Sequence, residues 1–248
     1  MRRTEQIMGM PIGIDIDGCD DEAVFEKAFT RLREIDERFS TYKQDSEVSK
    51  YKDGKLTSKE LSPELKEVIK ACRDAEKETD GYFSAWATGA FDPSGYVKGW
   101  AIAETGKLIE RLSCQSYCIG AGGDILARSD GSRIWAIGVQ NPTDKTKVLT
   151  RLDILSGAVA TSGNYERGSH IINPKSGRTA SSLLSITVVG PDIITADILA
   201  TAGFAMGAKA LEMVEQKGYE ALIVNKDGQI KTTPGFTNLS RRSPESSR

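Results

Sequence analysis

The sequence is short of several things, and each shortage excludes something. It has one histidine, His170, in 248 residues. Its four cysteines, Cys19, Cys72, Cys114 and Cys118, are too few and too scattered for a disulfide scaffold. The Cys114-x-x-x-Cys118 pair lacks both a second pair and a neighbouring histidine, so zinc is disfavoured and the four read as ordinary thiols. No apolar run approaches the roughly 20 residues of a membrane helix, and MRRTEQIMGMPIGIDID contains no run of signal-peptide length, so the expected compartment is the cytoplasm. With 33 basic and 35 acidic residues, a net charge of −2 and no long single-sign run, a nucleic-acid partner recognised through a basic face is not expected. No internal linker rich in Pro, Gly or Ser divides the chain. One domain is therefore expected over residues 1–238, followed by a disordered tail at 239–248 that ends in SPESSR.

What is present is well patterned. From Ile12 the chain alternates apolar and polar residues, as a strand with one buried face does. Val24, Phe25, Ala28, Phe29, Leu32, Ile35 and Phe39 recur at three- and four-residue spacing, which predicts a helix over Asp21 to Phe39. Ser62-Pro63 opens a second amphipathic helix that ends near Gly81, and a third runs from about Gly95 to Leu112. Strands are expected at Ile134 to Val139, Arg151 to Thr161 and Leu184 to Val189, and a helix near Asp197 to Gly207. Lys226-Asp227-Gly228 reads as a hairpin turn between ALIVN and QIKTT. Hairpins without a βαβ repeat predict an α+β fold with largely antiparallel sheets and flanking helices.

Four stretches stand out as candidate chemistry, each with a structural reading beside the functional one. Asp197 and Thr201 lie four apart on one helix face, a partial oxygen site for a hard cation, or else a first-turn acid and a packing residue behind a Thr195 cap. Gly120-Ala121-Gly122-Gly123-Asp124 could offer backbone N–H groups to a phosphate, or simply make a tight turn. Asp92-Pro93-Ser94-Gly95-Tyr96-Val97-Lys98 starts a helix where an anion could sit, or caps it. The segment Ser169-His170-Ile171-Ile172-Asn173-Pro174 carries the lone imidazole, either a hydrogen-bonded structural group or a catalyst.

Taken in order, these stretches resemble the FAD:protein FMN transferase (ApbE) family. The matching pieces are Met8-Gly9-Met10, FSTYKQDSEVSK, GYFSAWATGAFDPSGYVKGWAI, GAGGDI, ATSGNYERG, SHIINPKSG and VVGPDIITADILATAGFAMG, collinear from Met8 to about Gly207. The resemblance implies a single-domain ApbE-like (T-fold-like) architecture. It also implies magnesium-dependent transfer of FMN from FAD to a Thr or Ser hydroxyl of a target flavoprotein, through a phosphoester bond and with release of AMP. The alternatives it leaves are an FAD pyrophosphatase and a non-catalytic FAD-binding protein. By the same resemblance Gly95 (through its carbonyl), Asp197 and Thr201 would hold magnesium. FAD contacts would fall on Met8, Tyr42, Tyr82, Phe83, Ser84, Asp92, Lys98 and Ile172, and His170 would act with Asp197 in catalysis. This chain departs from the pattern in a short segment between Trp86 and Gly89, in Asn173 where Asp is usual, and in Ala200 where some members carry a second carboxylate. Many relatives are exported lipoproteins, whereas no lipobox is found here.

Overall fold

The computed structural model of the chain describes residues 1–163 and 171–241. Its frame is an eight-stranded sheet in which every neighbouring pair is antiparallel. The strands, in spatial order, are β1 (Arg2–Ile7), β2 (Met10–Asp17), β3 (Ser116–Ala121), β4 (Asp124–Arg128), β7 (Gly157–Gly163), β10 (Leu183–Gly190), β11 (Glu220–Asn225) and β12 (Ile230–Thr232). A three-stranded sheet of β5 (Trp135–Asn141), β6 (Asp144–Ile154) and β13 (Ser240–Arg241) and a two-stranded ribbon of β8 (Ile172–Asn173) and β9 (Arg178–Thr179) complete the β structure among the described residues.

Period-two burial sorts the large sheet into two packed faces. Ile12, Ile14, Ile16, Ala158, Ala160, Ile186, Val188, Ala221 and Ile223 face one core with the helices. Val159, Val189, Leu222 and Val224, the alternate positions, face a second core with Trp135, Ile137, Leu152 and Phe236 from the small sheet and the short helix after β12. On the helical side lie α1 (Glu22–Phe39), α2 (Glu47–Lys52), α3 (Pro63–Glu78), α4 (Ser94–Arg111), α5 (Ile193–Met206) and α6 (Ala210–Gln216), with α7 (Phe236–Leu239) on the other side.

Local chemistry explains the helix ends. Asp21 caps α1 by accepting from the Ala23 N–H at 2.9 Å, and the seven apolar positions of that helix are buried as the spacing predicts. Each of the Val, Leu, Ile and Phe side chains among them contributes about 1.5–3 kcal/mol on full burial. Ser62 caps α3 through the Leu65 N–H at 3.2 Å, with Pro63 at the first helical position.

Several placements differ from the sequence reading. The run Arg151 to Thr161 is two strands on different sheets, because Leu155 and Ser156 turn the chain from β6 into β7. α5 begins at Ile193 and is capped by Asp192, whose carboxylate accepts from the Thr195 N–H at 2.8 Å, so Thr195 lies inside the helix instead of capping it. β1 and α2, both rich in polar residues, carry no strong apolar period and were not foreseen. Ser240–Arg241, at the start of the expected tail, pair with Leu152 and Arg151 of β6. Among the described residues no helix is long and apolar enough to cross a membrane.

Candidate functional site

Two hairpin turns bring the candidate residues to one end of the large sheet. Gly122 and Gly123 join β3 to β4 with φ of 53° and 87°, the two left-handed positions of a type I′ turn, where glycine carries no steric cost. The turn delivers Asp124 to the first position of β4, on the same face as Leu126 in the helical core. Met8 and Gly9 make the equivalent turn between β1 and β2 at φ 56° and 71°. A methionine held there carries backbone strain, a feature that collects at binding sites.

Two helices complete the cluster. α5 packs against α4, β7 and β10, so Asp197 is carried into the interior and keeps 2% of its exposure. The approach of α4 requires Gly99: a Cβ there would lie 3.0 Å from the Ile193 carbonyl and 3.1 Å from Asp197 Cβ. The Gly99 N–H, so placed, donates to Asp197 Oδ2 at 3.0 Å. Lys98 reaches between the two acids. Its Nζ lies 2.9 Å from Asp124 Oδ2 and 3.6 Å from Asp197 Oδ1. The first contact is an ion pair without good hydrogen-bond alignment. Asp124, at 0% exposure, is anchored through Oδ1 by the Thr161 N–H at 3.2 Å.

The electrostatics follow from burial. Both carboxyls are pushed above the usual carboxylate range, Asp124 by loss of solvent and then by the Asp197 charge, Asp197 by loss of solvent. Lys98 pulls both back down, as do the N–H groups of Thr161 on Asp124 and Gly99 on Asp197.

Two clefts open on this cluster and meet at Ser94 and Lys98. The first, of about 190 Å³, is lined by Tyr82, Phe83, Ser84, Asp92, Gly95, Lys98, Ile172, Asp197 and Thr201 among others. The second, of about 440 Å³, is lined by Met8, Met10, Phe39, Tyr42 and Val97 among others, and its size is that of a small-molecule site, roughly 300–1,000 Å³. The candidates named from sequence thus divide between two adjoining clefts, with Lys98 common to both. Tyr42 is 90% exposed at the rim, whereas Phe83 is buried in the wall. Asp92 accepts from the Ser94 N–H at 2.9 Å at the start of α4, and Ser84 accepts from the Trp86 N–H at 3.2 Å. Tyr82 lies under the Lys175 ammonium, 4.5 Å from the ring centre, and Lys175 pairs with Asp80 at 2.6 Å. His170 lies outside the described residues.

Gly95 and Thr201 are neighbours across the helix contact, since a Cβ at position 95 would lie 3.7 Å from Thr201 Oγ1 and 3.3 Å from Phe83 Cε2. Gly95, Asp197 and Thr201 all line the first cleft. No group of three or more His, Cys, Asp or Glu side chains that could hold a metal occurs among the described residues. A cation here would need hydroxyl, carbonyl, water or phosphate oxygens for its remaining ligands, which is how magnesium is commonly bound.

Two departures from the sequence pattern acquire a physical account. Asn173 donates through Nδ2 to the Ala205 carbonyl at 2.9 Å and accepts from the Lys175 N–H at 2.9 Å, so it ties the β8–β9 turn to the end of α5. Ala200 is fully buried and offers no ligand. The residue that sequence reasoning passed over is Asp124. Its signal was an acid in the inward register of a strand, two residues before the buried Leu126, directly after a Gly-Gly turn. Burial pushes the thiols of Cys72 and Cys114 up to about 12 and that of Cys118 to about 11, so these three are not activated.

Known proteins share this arrangement of fold and motifs. The chain is 31% identical over 150 residues to an FAD:protein FMN transferase of Escherichia coli K12, a stretch that covers 55% of this chain and 43% of that protein. A Haemophilus influenzae protein of the same name is 29% identical over 187 residues, covering 70% of this chain and 53% of that one. The chain therefore spans about half the length of the curated relatives it matches. Among solved structures, the ApbE protein of Thermotoga maritima superimposes with a TM-score of 0.86 at 24% identity, over 98% of this chain and 99% of that one. The flavin transferase ApbE of Vibrio cholerae gives 0.83 at 21% identity, over 96% and 98%. These likenesses agree with the α+β architecture. The ApbE family model matches residues 8–90 and 86–223, and the chain belongs to the ApbE family.

Proposed function

We propose that this chain is an FAD:protein FMN transferase that uses magnesium to move FMN from FAD onto a Thr or Ser hydroxyl of a target flavoprotein, with release of AMP. The observation that carries the reading is the buried Lys98–Asp124–Asp197 cluster at the junction of two clefts, beside Thr201 and Gly95. Flavin transfer is also what the relatives are named for.

The residues fit a divalent cation. Asp197 would offer Oδ1, Thr201 its hydroxyl and Gly95 its carbonyl, all hard oxygens. When bound, magnesium neutralises charge on the pyrophosphate oxygens and stabilises the departing phosphate. Lys98, which lines both clefts, would hold a phosphate oxygen as a point charge, with the pyrophosphate spanning the junction. Phe83, Tyr82 and Ile172 provide apolar wall on one side of it, and Met8 and Tyr42 on the other. The acceptor oxygen attacks the FMN-side phosphorus. A new P–O bond forms as the pyrophosphate P–O bond breaks, AMP leaves with that electron pair, and a base takes the hydroxyl proton. We assign that base, or else a contact to the pyrophosphate, to His170.

The test is incubation of the purified chain with FAD, magnesium and a panel of flavoprotein acceptor domains. Flavin fluorescence on a denatured acceptor, with a matching mass increase and stoichiometric AMP, is the expected result. FAD that binds and stays intact in the presence of magnesium would overturn the reading. FMN and AMP formed equally without any acceptor would make the chain a pyrophosphatase.

A further inference from the structure

We infer that Asp124 is a positioning residue that holds the Lys98 ammonium away from Asp197, and so keeps Asp197 available to a divalent cation. The inference rests on the proposed cation site and deepens it. Of the two Asp197 oxygens, Oδ2 accepts the Gly99 N–H. Oδ1 is then the oxygen a cation would meet, and it is also the one that faces Lys98 Nζ at 3.6 Å. Lys98 and a metal ion therefore compete for the same atom. Asp124 decides the competition, because its Oδ2 lies closer to the ammonium, at 2.9 Å. Its side chain cannot swing away: it is fully buried at a strand start fixed by the Gly122-Gly123 turn, with Oδ1 anchored on the Thr161 N–H.

Charge counting points the same way. With both acids ionised, the cluster of one ammonium and two carboxylates has a net charge of −1 and attracts a cation. Without the Asp124 charge, Lys98 and Asp197 form a neutral pair, and a metal ion must displace the ammonium to bind.

The experiment is a titration with Mn²⁺ at pH 8, without FAD, in which free Mn²⁺ is read by electron paramagnetic resonance. Asp124→Asn keeps the shape and the acceptor for Thr161 but removes the charge. It should weaken Mn²⁺ binding roughly 10- to 100-fold, as loss of an outer-shell partner does. Adding Lys98→Met to that variant should restore affinity to within about twofold of wild type, the scatter of an additive cycle. Affinity unchanged in D124N, or a double variant as weak as D124N, would overturn the inference, the second outcome making Asp124 itself a ligand. If D124N does not fold, Lys98→Met alone decides, with tighter binding expected and unchanged or weaker binding refuting it. Mn²⁺ that fails to bind wild type, or binds Asp197→Ala as well, would reject the cation site and with it the proposed function, a failure distinguishable from that of Asp124 alone.

Discussion

Lys98→Met should be among the most destabilising single changes at this site when no divalent cation is present. The ammonium sits 2.9 Å and 3.6 Å from two buried carboxylate oxygens. At an effective dielectric of about 20 those contacts amount to about 6 and about 5 kcal/mol before desolvation is counted. Removing one partner of a buried ion pair costs about 3–5 kcal/mol, because a charge is left behind without compensation. The loss has a ceiling, since a carboxylate can escape by taking up a proton; burial has already raised both carboxyls, so that ceiling lies below the about 4 kcal/mol that protonation from an ordinary value near 3.9 would cost at pH 7. We therefore expect about 3 kcal/mol at neutral pH, the low end of that range, or at least about 6 °C in melting temperature for a chain of this size. The sign of the pH dependence follows. Burial and the neighbouring acid already raise these carboxyls in the folded state, and losing Lys98 raises them further. The folded state then holds a proton that the unfolded chain has lost, so stability falls as pH rises above the ordinary carboxylate range, by at most about 1.4 kcal/mol per pH unit. Urea unfolding with chelator at pH 5 and pH 8 should show a gap between variant and wild type that widens at the higher pH. A variant within about 1 kcal/mol of wild type at pH 8, or a gap that shrinks with pH, would refute the assignment of Lys98 as the compensating charge.

Asp197→Ala should abolish magnesium-dependent release of AMP from FAD, because the remaining hydroxyl and carbonyl are too weak to hold the ion; near-wild-type turnover would refute the metal assignment. Asn173→Asp loses the donor to the Ala205 carbonyl and should cost about 1 kcal/mol in urea unfolding while leaving turnover within about threefold of wild type. Asp130 is held down at about 2 by Ser132, through side chain and backbone, and by Ser116. Its contribution is present above the ordinary carboxylate range and is lost as pH falls toward that value, so Asp130→Asn should flatten the acid limb of a stability profile measured between pH 5 and pH 2.

The sequence carried the fold further than it carried the site. α1 and α3 were legible because their caps and apolar spacing agree, and β2 because its alternation is clean. β7 was blurred into β6 because it is buried on both faces and so carries no alternation, a pattern that only the two-core arrangement explains. α5 has the same property: it is apolar nearly all round, so periodicity could not place its start. At the site, Asp197 with Thr201 was visible as spacing, but Asp124 was not. Nothing local ties residue 124 to residues 98 and 197; the Lys98 contacts exist only because a hairpin and a helix crossing place three distant segments at one point. The role of Asn173 was hidden for the same reason, since its partner Ala205 lies on α5.

Two glycines of α4 should separate what stabilises the helix from what builds the site. At Gly106 a Cβ would lie 2.7 Å from Tyr117 Oη and 2.8 Å from Leu126 Cδ2, so Gly106→Ala overpacks the core. That should cost about 1–3 kcal/mol, offset in part by the helix preference for Ala of about 1 kcal/mol. Position 106 is seven residues along the helix from Gly99, about 10 Å away, so the cluster should be left in place. At Gly99 the contacts are longer and lie at the site: a Cβ would lie 3.0 Å from the Ile193 carbonyl and 3.2 Å from Asp197 Oδ2, the oxygen that the Gly99 N–H holds. Relief requires a few tenths of an ångström between α4 and α5, which lengthens that hydrogen bond and frees Asp197 to turn toward Lys98. Gly99→Ala should therefore lose Mn²⁺ affinity out of proportion to its loss of stability, and Gly106→Ala should lose stability for little change in Mn²⁺ affinity. If the two variants lost both quantities in the same proportion, the α4–α5 contact would be a packing surface alone, and the Gly99 amide would have no part in orienting Asp197.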